Sequence, residues 1–224
     1  RLNKTDILKK QFARNIEGVH HFLNEAKSFE ALKELSGSRD ARYFKKKEVI
    51  FHEGTYPKGV YFIHKGKVKI YQKNDQGKEL ISTLHKEGDF FGFLSLMKEE
   101  QYIHSAAVLE DAEIYLIPKE DFFSLIYKNA EVARKFIELL SDSLLENEQQ
   151  LMRLAYNSVR KRVAEALVKL SDTYKNETDL QFSMHVSRED LANLVGTAKE
   201  TLIRTLSDFK EEKYIEISGG KITI

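Results

Sequence analysis

The chain has 224 residues, of which 42% are hydrophobic and 32% charged, and its formal net charge is +1. This length allows two small domains, each with its own core, and the composition indicates a soluble globular protein. The absence of cysteine excludes disulfides, thiolate zinc sites and cysteine-ligated iron–sulfur clusters. No run of about 18 apolar residues is present, so we expect no membrane-spanning helix and a cytoplasmic location.

Residues 1–29 are expected to form one amphipathic helix, because their apolar residues recur every three or four positions. This spacing is close to that of a coiled-coil seam. The helix is therefore expected to pair with its copy or to dock on the following domain. The seam residues are Leu8, Phe12, Ile16, Val19, Leu23 and Ala26.

The stretch from Tyr43 to Ile117 has the pattern of β-structure. Short strand-like segments alternate there with turn signals, which include Asn74–Gly77 and several other glycines. Such a pattern is typical of a β-sandwich or a barrel. The expected strands are Val60–Ile63, Val68–Tyr71, Leu80–Leu84, Ala106–Leu109 and Ala112–Ile117.

Two helices are expected next, a short one over Lys119–Tyr127 and a long one over 129–156. In the long helix, seam positions alternate at spacings of three and four, which predicts a parallel homodimer through paired helices. Asn147 is the one polar residue of this seam, and two roles are open for it: fixing the register of the pair, or reaching a ligand in the β domain. The seam residues are Ala130, Ala133, Ile137, Leu140, Leu144, Asn147, Leu151 and Leu154.

Ser187–Arg204 indicates a helix-turn-helix. Ser187 can cap a first helix, and Gly196 suits the positive φ where that helix ends. Thr197 and Glu200 predict a T-x-x-E capping box for a second helix, whose buried stripe is Leu202, Leu206 and Phe209. Outward residues near the start of such a helix reach base edges in the major groove. The outward residues here are Lys199, Glu200, Ile203 and Arg204.

The C-terminal residues strengthen this interpretation. Tyr214–Ile217 and Ile222–Ile224 flank a Gly-Gly turn, which predicts a β-hairpin and hence a winged helix. The alternative is an ordinary pair of short helices in which Glu200 and Arg204 form an i,i+4 ion pair. Residues 157–224 carry 11 Lys and Arg against 11 Asp and Glu, so DNA binding there must rest on local charge placement.

Four stretches, taken in order, resemble the CRP/FNR family of bacterial transcription regulators. Residues 53–68 (EGTYPKGVYFIHKGKV) are similar to the first strands of the family's cyclic-nucleotide-binding-like β-roll, and residues 88–96 (GDFFGFLSL) to its phosphate-binding cassette. Residues 153–164 (RLAYNSVRKRVA) resemble the end of the dimer helix and the hinge, and residues 195–204 (VGTAKETLIR) resemble the recognition helix. The resemblance covers about residue 30 to the C-terminus.

With the amphipathic helix expected from spacing at 1–29, the resemblance implies an α+β fold in four segments: that N-terminal helix (1–29), a jelly-roll-like β-roll sensor domain (30–127), a long dimerisation helix (128–156) and a C-terminal winged helix-turn-helix (157–224). It also implies a homodimer that binds double-stranded DNA at an inverted repeat with a TGA-like core and acts with RNA polymerase. Lys199, Glu200 and Arg204 match the family's base- and phosphate-contacting positions. The predicted DNA-binding set is Ser187, Thr197, Lys199, Glu200, Ile203 and Arg204.

The effector side departs from the family. Its cyclic-AMP binders carry Glu after the cassette glycine and Arg before the following Ser or Thr, whereas here Phe93 follows Gly92 and His104 precedes Ser105. Phe cannot accept a ribose hydrogen bond, and neutral His is a poor substitute for a bidentate Arg, so cyclic AMP is not expected in the usual mode. Phe93 either fills the pocket as core packing, or the cassette backbone binds another anion. The candidate ligand-binding residues are Gly92, Phe93, Leu94, Ser95, His104, Ser105 and Asn147.

No cofactor is expected, because there is no cysteine and the seven histidines lack the spacing of paired metal or haem ligands. No nucleophile–base pair or phosphate loop is visible, so we expect a regulator and not an enzyme. The alternative is a ligand-sensing module whose output is not DNA binding.

The helix at 1–29 is longer than the family's usual N-terminal segment and the chain starts with Arg, so an upstream sensory domain, such as a receiver-like one, is one expectation. A plain N-terminal extension is the other.

Overall fold

The computed structural model describes residues 41–128, 130–175 and 181–224. The predicted helix at 1–29 lies outside these residues. The chain divides into two compact units. Of the described residues, the first unit contains 41–68 together with His85–Asp142, and the second contains Lys69–Leu84 together with those from Ser143 to Ile224.

Within the described ranges, eight short strands form a β-roll of two four-stranded sheets. One sheet has the order β1-β8-β3-β6 and the other β2-β7-β4-β5. The long central strands were predicted from their alternation, whereas β1, β2 and β6 are only two or three residues long and were not. The strands are β1 Arg42–Phe44, β2 Val49–Phe51, β3 Gly59–Lys65, β4 Val68–Lys73, β5 Glu79–His85, β6 Phe90–Phe91, β7 Ser105–Val108 and β8 Ala112–Pro118.

Among the residues that the structure describes, three helices accompany the β-roll: α1 Phe93–Lys98, α2 Lys119–Lys128 and α3 Ala130–Tyr156. The core of the first unit is aromatic and lies where α2 and the start of α3 meet the sheet. Phe122 is 1% exposed, and its ring meets that of Phe136 edge-on with centroids 5.0 Å apart. Burial of such a ring stabilises the fold by roughly 1.5–3 kcal/mol relative to leaving it in water.

Helix α3 has 27 residues and is therefore about 40 Å long. Its predicted bounds are confirmed to within one residue. Ile137, Leu144 and Leu151 are 62%, 61% and 68% exposed, and Leu145 and Met152 beside them are also exposed. The other large seam residues contact their own chain: Leu140 packs on the aromatic core, and the side chain of Leu154 lies beside Gly196.

The second unit contains a three-helix, three-stranded winged helix-turn-helix. Its buried residues include Val163, Leu191, Leu206 and Ile222, none more than 1% exposed. The sheet has the order β10-β11-β9, and Ser218 pairs with Lys221 across the predicted Gly-Gly turn. The predicted hairpin is thus confirmed, and β9 adds an unpredicted third strand. The elements are α4 Val159–Tyr174, β9 Ser183–His185, α5 Arg188–Val195, α6 Lys199–Glu211, β10 Glu216–Ser218 and β11 Lys221–Thr223.

Candidate DNA-binding interface and effector domain

Helix α5 begins at a side-chain cap, as predicted. Ser187 Oγ accepts a hydrogen bond from the backbone N–H of Asp190 at 2.9 Å. The same hydroxyl lies 2.7 Å from Asp190 Oδ2, to which it donates. Both hydrogen-bonding functions of Ser187 are engaged, so its position at the N-terminus of α5 is fixed.

The turn between α5 and α6 requires Gly196. Its φ is 70°, as predicted, and its N–H donates to the carbonyl of Ala192. A Cβ at this position would lie 3.1 Å from Leu154 Cδ2. Any other residue would therefore meet both an unfavourable backbone conformation and a close side chain.

The predicted capping box at Thr197 and Glu200 is wrong. Helix α6 has Ala198 as its N-cap, and no side chain caps it. Thr197 is 8% exposed, and its own N–H donates to the carbonyl of Ala192 at 3.0 Å. Thr197 is therefore buried as part of the turn, so it precedes the N-cap position instead of occupying it.

Helix α6 buries one face and exposes a polar face whose charged side chains form no ion pair within the described residues. Its apolar stripe is buried as predicted, with Leu202, Leu206 and Phe209 at 0%, 1% and 6% exposure. The outward set is exposed and consists of Lys199, Glu200, Ile203 and Arg204. Within the part of the chain that the structure describes, no ion pair joins Glu200 to Arg204, which removes the ion-pair alternative. The guanidinium of Arg204 is thus available to donate two parallel hydrogen bonds to another molecule. The carboxylate of Glu200 is likewise available to accept hydrogen bonds.

The far end of α6 is anchored to the start of α4. Arg160 lies with its guanidinium carbon 4.6 Å from the ring centre of Phe209 and pairs with Glu212 at 2.5 Å. Both charged side chains are nearly half exposed, so the ion pair itself contributes little to stability. The stacking on Phe209 gives Arg160 a packing role at the C-terminal end of α6.

The β4–β5 hairpin, which belongs to the second unit, is joined to α5 by a charged cluster. Lys69 Nζ lies 2.6 Å from Asp190 Oδ1 and 2.9 Å from Glu79 Oε2, with its side chain 13% exposed. Burial alone would lower the pKa of Lys69, but these two carboxylates raise it above its ordinary value. The sequence carries no local signal for this contact, because Lys69 and Asp190 are 121 residues apart.

The segment that resembles the phosphate-binding cassette is largely occupied by side chains of its own chain. Gly92 precedes α1 with a φ of 81°. Phe93 is 8% exposed, and its ring packs edge-on against Phe136 at 5.6 Å. Ser95 is also buried, whereas Leu94 is 48% exposed.

An aromatic cluster lies beside the cassette. Phe51 and Tyr102 stack with centroids 3.8 Å apart, and Tyr61 lies 5.6 Å from Phe51 and 5.2 Å from Phe91. A Cβ on Gly92 would be 3.4 Å from the Tyr102 hydroxyl, which is buried and has no hydrogen-bond partner within the described residues. Burial accordingly raises the pKa of Tyr102. Nothing local in the sequence singled out Tyr102.

His104 is partly buried near Glu53, and Ser105 makes a hydrogen bond to the backbone of the same residue. Burial lowers the pKa of His104, an effect that the negative charge of Glu53 partly offsets. The imidazole is therefore held neutral near pH 7 and cannot supply the positive charge that a cyclic phosphate needs. Ser105 is buried, and its Oγ accepts a hydrogen bond from the backbone N–H of Glu53 at 2.9 Å.

The remaining candidate, Asn147, is exposed on α3 in the second unit. Across residues 41–128, 130–175 and 181–224, no three His, Asp or Glu side chains cluster as a metal site. Over the same residues, no helix combines the length and apolar character needed to cross a membrane.

A β-roll, a long helix and a winged helix-turn-helix together define a class of DNA-binding regulators with an effector-type domain. Comparison with known proteins agrees with this class. The cyclic nucleotide-binding domain matches residues 41–129, and the Crp-like helix-turn-helix domain matches residues 161–224. The chain is 30% identical over 183 residues to the cyclic AMP receptor protein of Thermus thermophilus, a match that covers 82% of each chain.

Two solved structures are also similar. A CRP/FNR-family transcriptional regulator from Thermus thermophilus has a TM-score of 0.70 and 26% identity, over 83% of this chain and 93% of that one. The c-di-GMP-responsive global regulator CLP of Xanthomonas campestris shares the fold, with a TM-score of 0.74 and 23% identity over 86% of this chain and 96% of that one. The chain belongs to the CRP/FNR family of transcription regulators.

Proposed function

We propose that the protein is a homodimer that binds an inverted-repeat DNA site with a TGA-like core. The observation that carries this proposal is the outward face of α6, where Lys199, Glu200 and Arg204 are exposed and free of ion pairs within the described residues. Arg204 would donate to guanine O6 and N7, and Glu200 would accept from a cytosine amino group. Lys199 would contact phosphate. The roles of Ser187, Thr197 and Ile203 stay predictions.

The exposed apolar stripe of α3 supports the dimer. Ile137, Leu144 and Leu151 recur every seven residues, the spacing that keeps side chains on one seam of paired helices. Pairing two such helices would remove this stripe from water and place two recognition helices about a two-fold axis. Two such helices read half-sites about one helical turn apart. We place this regulator in the cytoplasm, with RNA polymerase as its partner at promoters.

The β-roll is proposed to be a degenerate effector domain that does not take cyclic AMP in the usual mode. Phe93 stands where the family's ribose-binding Glu would be and is packed against Phe136. Neutral His104 stands where its phosphate-binding Arg would be. The rings of Phe51 and Tyr102 stack on each other next to the cassette glycine, Gly92.

The proposal is tested by selection from a random duplex library at physiological salt without added small molecules, because salt strongly affects DNA affinity. The expected outcome is enrichment of an inverted repeat with a TGA-like core. The Arg204→Ala variant should lose preference at one base pair of each half-site, whereas Lys210→Ala on the same helix should select the original site. Enrichment of single half-sites would refute the dimer. Absence of any enriched sequence, both alone and with a panel of candidate effectors, would refute sequence-specific DNA binding.

A further inference from the structure

A small cleft lies within the second unit, where the end of α3 meets α4 and α5. Its volume is about 70 Å³, and its walls include Gln150, Arg153, Leu154, Arg162, Lys169 and Leu194. One buried water needs roughly 10–15 Å³ on this measure, so the cleft has room for a compact group of several heavy atoms. It adjoins the hinge that precedes the helix-turn-helix.

The charges around this cleft do not balance. Lys169 is paired with Glu146. Glu165, the one acidic residue that lines the cleft, accepts hydrogen bonds from Asn157 Nδ2 at 3.1 Å and lies 3.9 Å from Lys161 Nζ. Arg153 and Arg162 also line the cleft, and in the described residues neither has an ion pair. Two guanidinium groups therefore face the cleft without an acidic partner.

Arg162 has a further feature that points to a ligand. Its Nε is buried and has no hydrogen-bond partner in the described residues. A buried donor without an acceptor costs the fold its desolvation energy unless something else accepts the bond. Its Nη1 lies 3.7 Å from where a Cβ on Gly196 would be, so the guanidinium reaches the turn before α6.

We infer that this cleft binds a small anion, carried on a phosphate or a carboxylate group, with Arg162 and Arg153 as its ligands. The planar guanidinium is suited to two parallel hydrogen bonds with either group. Leu154 and Leu194 give the cleft an apolar wall, which suits a short carbon skeleton attached to the anion. The bound anion would tie α3, α4 and α5 together at the hinge, a position separate from the cassette of the β-roll.

The binding is tested by thermal unfolding of the full chain in titrations with inorganic phosphate and with citrate, at constant ionic strength set with sodium chloride. A ligand that binds only the folded state raises Tm in a saturable way. At least one of the two probes should do so, and the better probe identifies phosphate or carboxylate as the preferred group. No saturable rise with either probe would overturn the inference.

Variants then assign the site. Arg162→Gln and Arg153→Gln should each weaken the apparent affinity at least about tenfold, which is equivalent to 1.4 kcal/mol. Arg160→Gln is the matched control, because it makes the same charge change on the same helix, but its guanidinium is directed to Glu212 and Phe209. If Arg162→Gln does not fold, Arg153→Gln decides the matter. An unchanged affinity in the folded arginine variants, or an equal loss in Arg160→Gln, would overturn the site.

The regulatory part of this inference rests on the proposed function. Affinity for the selected inverted repeat is measured with and without the stabilising anion, again at constant ionic strength. The expected result is at least about a threefold change in Kd for the wild type and none for Arg153→Gln. A saturable anion effect on Tm together with no DNA selection would refute the proposed function alone, whereas selective DNA binding without any anion effect would refute the cleft alone.

Discussion

Replacing Lys69 by Met is expected to destabilise the second unit by about 2–3 kcal/mol. The substitution retains a long apolar side chain but removes the ammonium group that bridges Asp190 and Glu79. Breaking a fully buried ion pair typically costs about 3–5 kcal/mol, because a charge is left without compensation. Here the carboxylate side chains are 23% and 22% exposed, so water screens part of that cost.

Lys73→Met provides the control for this measurement. Lys73 Nζ lies 3.5 Å from the same Glu79, but its side chain is 54% exposed. Exposed pairs of this kind contribute less than about 1 kcal/mol. The two variants are compared by equilibrium urea unfolding followed by far-UV circular dichroism. If Lys69→Met costs no more than Lys73→Met, the cluster does not hold the hairpin to α5.

The same cluster predicts a dependence on pH. Since the pKa of Lys69 is raised in the folded protein, its stabilising contribution is complete below the unfolded value of about 10.4. The contribution is lost as the pH rises through the folded pKa. The difference in stability between wild type and Lys69→Met should therefore shrink in alkaline solution above about pH 10.4. A difference that stays constant over this range would contradict the assignment.

Three further outcomes are expected. Arg204→Ala should weaken binding to the selected repeat by about 1–3 kcal/mol per half-site in a fluorescence-anisotropy titration, while exposed Lys210→Ala should leave it nearly unchanged; equal affinities of the two variants would contradict base reading by Arg204. Phe93→Ala should lower the free energy of unfolding by about 3–5 kcal/mol, because it removes a buried ring, and the exposed Leu94→Ala should cost far less. Cyclic AMP should not raise Tm, whereas the selected duplex should, and a saturable rise with cyclic AMP would reverse the interpretation of the cassette.

Elements that are specified by local pattern could be predicted from the sequence. The heptad spacing of α3 determined its bounds, and the stripe Leu202, Leu206 and Phe209 determined which face of α6 is buried. The Gly-Gly turn likewise fixed the register of the wing. In each case the deciding interaction lies within a few residues along the chain, where periodicity reports it directly.

Thr197 shows where local rules fail. Its side chain is of the capping type, and Glu200 stands at the spacing of a capping box. Thr197 is instead buried in the turn after Gly196, and Ala198 occupies the N-cap position of α6. A local preference of about 1 kcal/mol is easily overridden by the packing of such a turn.

Contacts between distant parts of the sequence could not be predicted. Tyr102 stacks on Phe51 from a loop with no periodic signal, and Lys69 meets Asp190 across 121 residues. The unbalanced cleft at Arg153 and Arg162 depends on three helices meeting. Such features arise only from tertiary packing. The resemblance therefore located the cassette in the sequence but did not predict that Phe51 and Tyr102 pack beside it.

The assignment of the β4–β5 hairpin to the second unit has a consequence for synthesis of the chain. This unit is discontinuous in sequence, since Lys69–Leu84 is separated from Ser143–Ile224 by a long stretch of the first unit. During translation the hairpin leaves the ribosome well before α5 is synthesised. Lys69 can therefore pair with Glu79 at that stage but not yet with Asp190. The contact between the hairpin and α5 can therefore form only after residue 190 has been synthesised, and a ribosome stalled before that residue would hold a chain in which the ammonium group has only one of its two carboxylates.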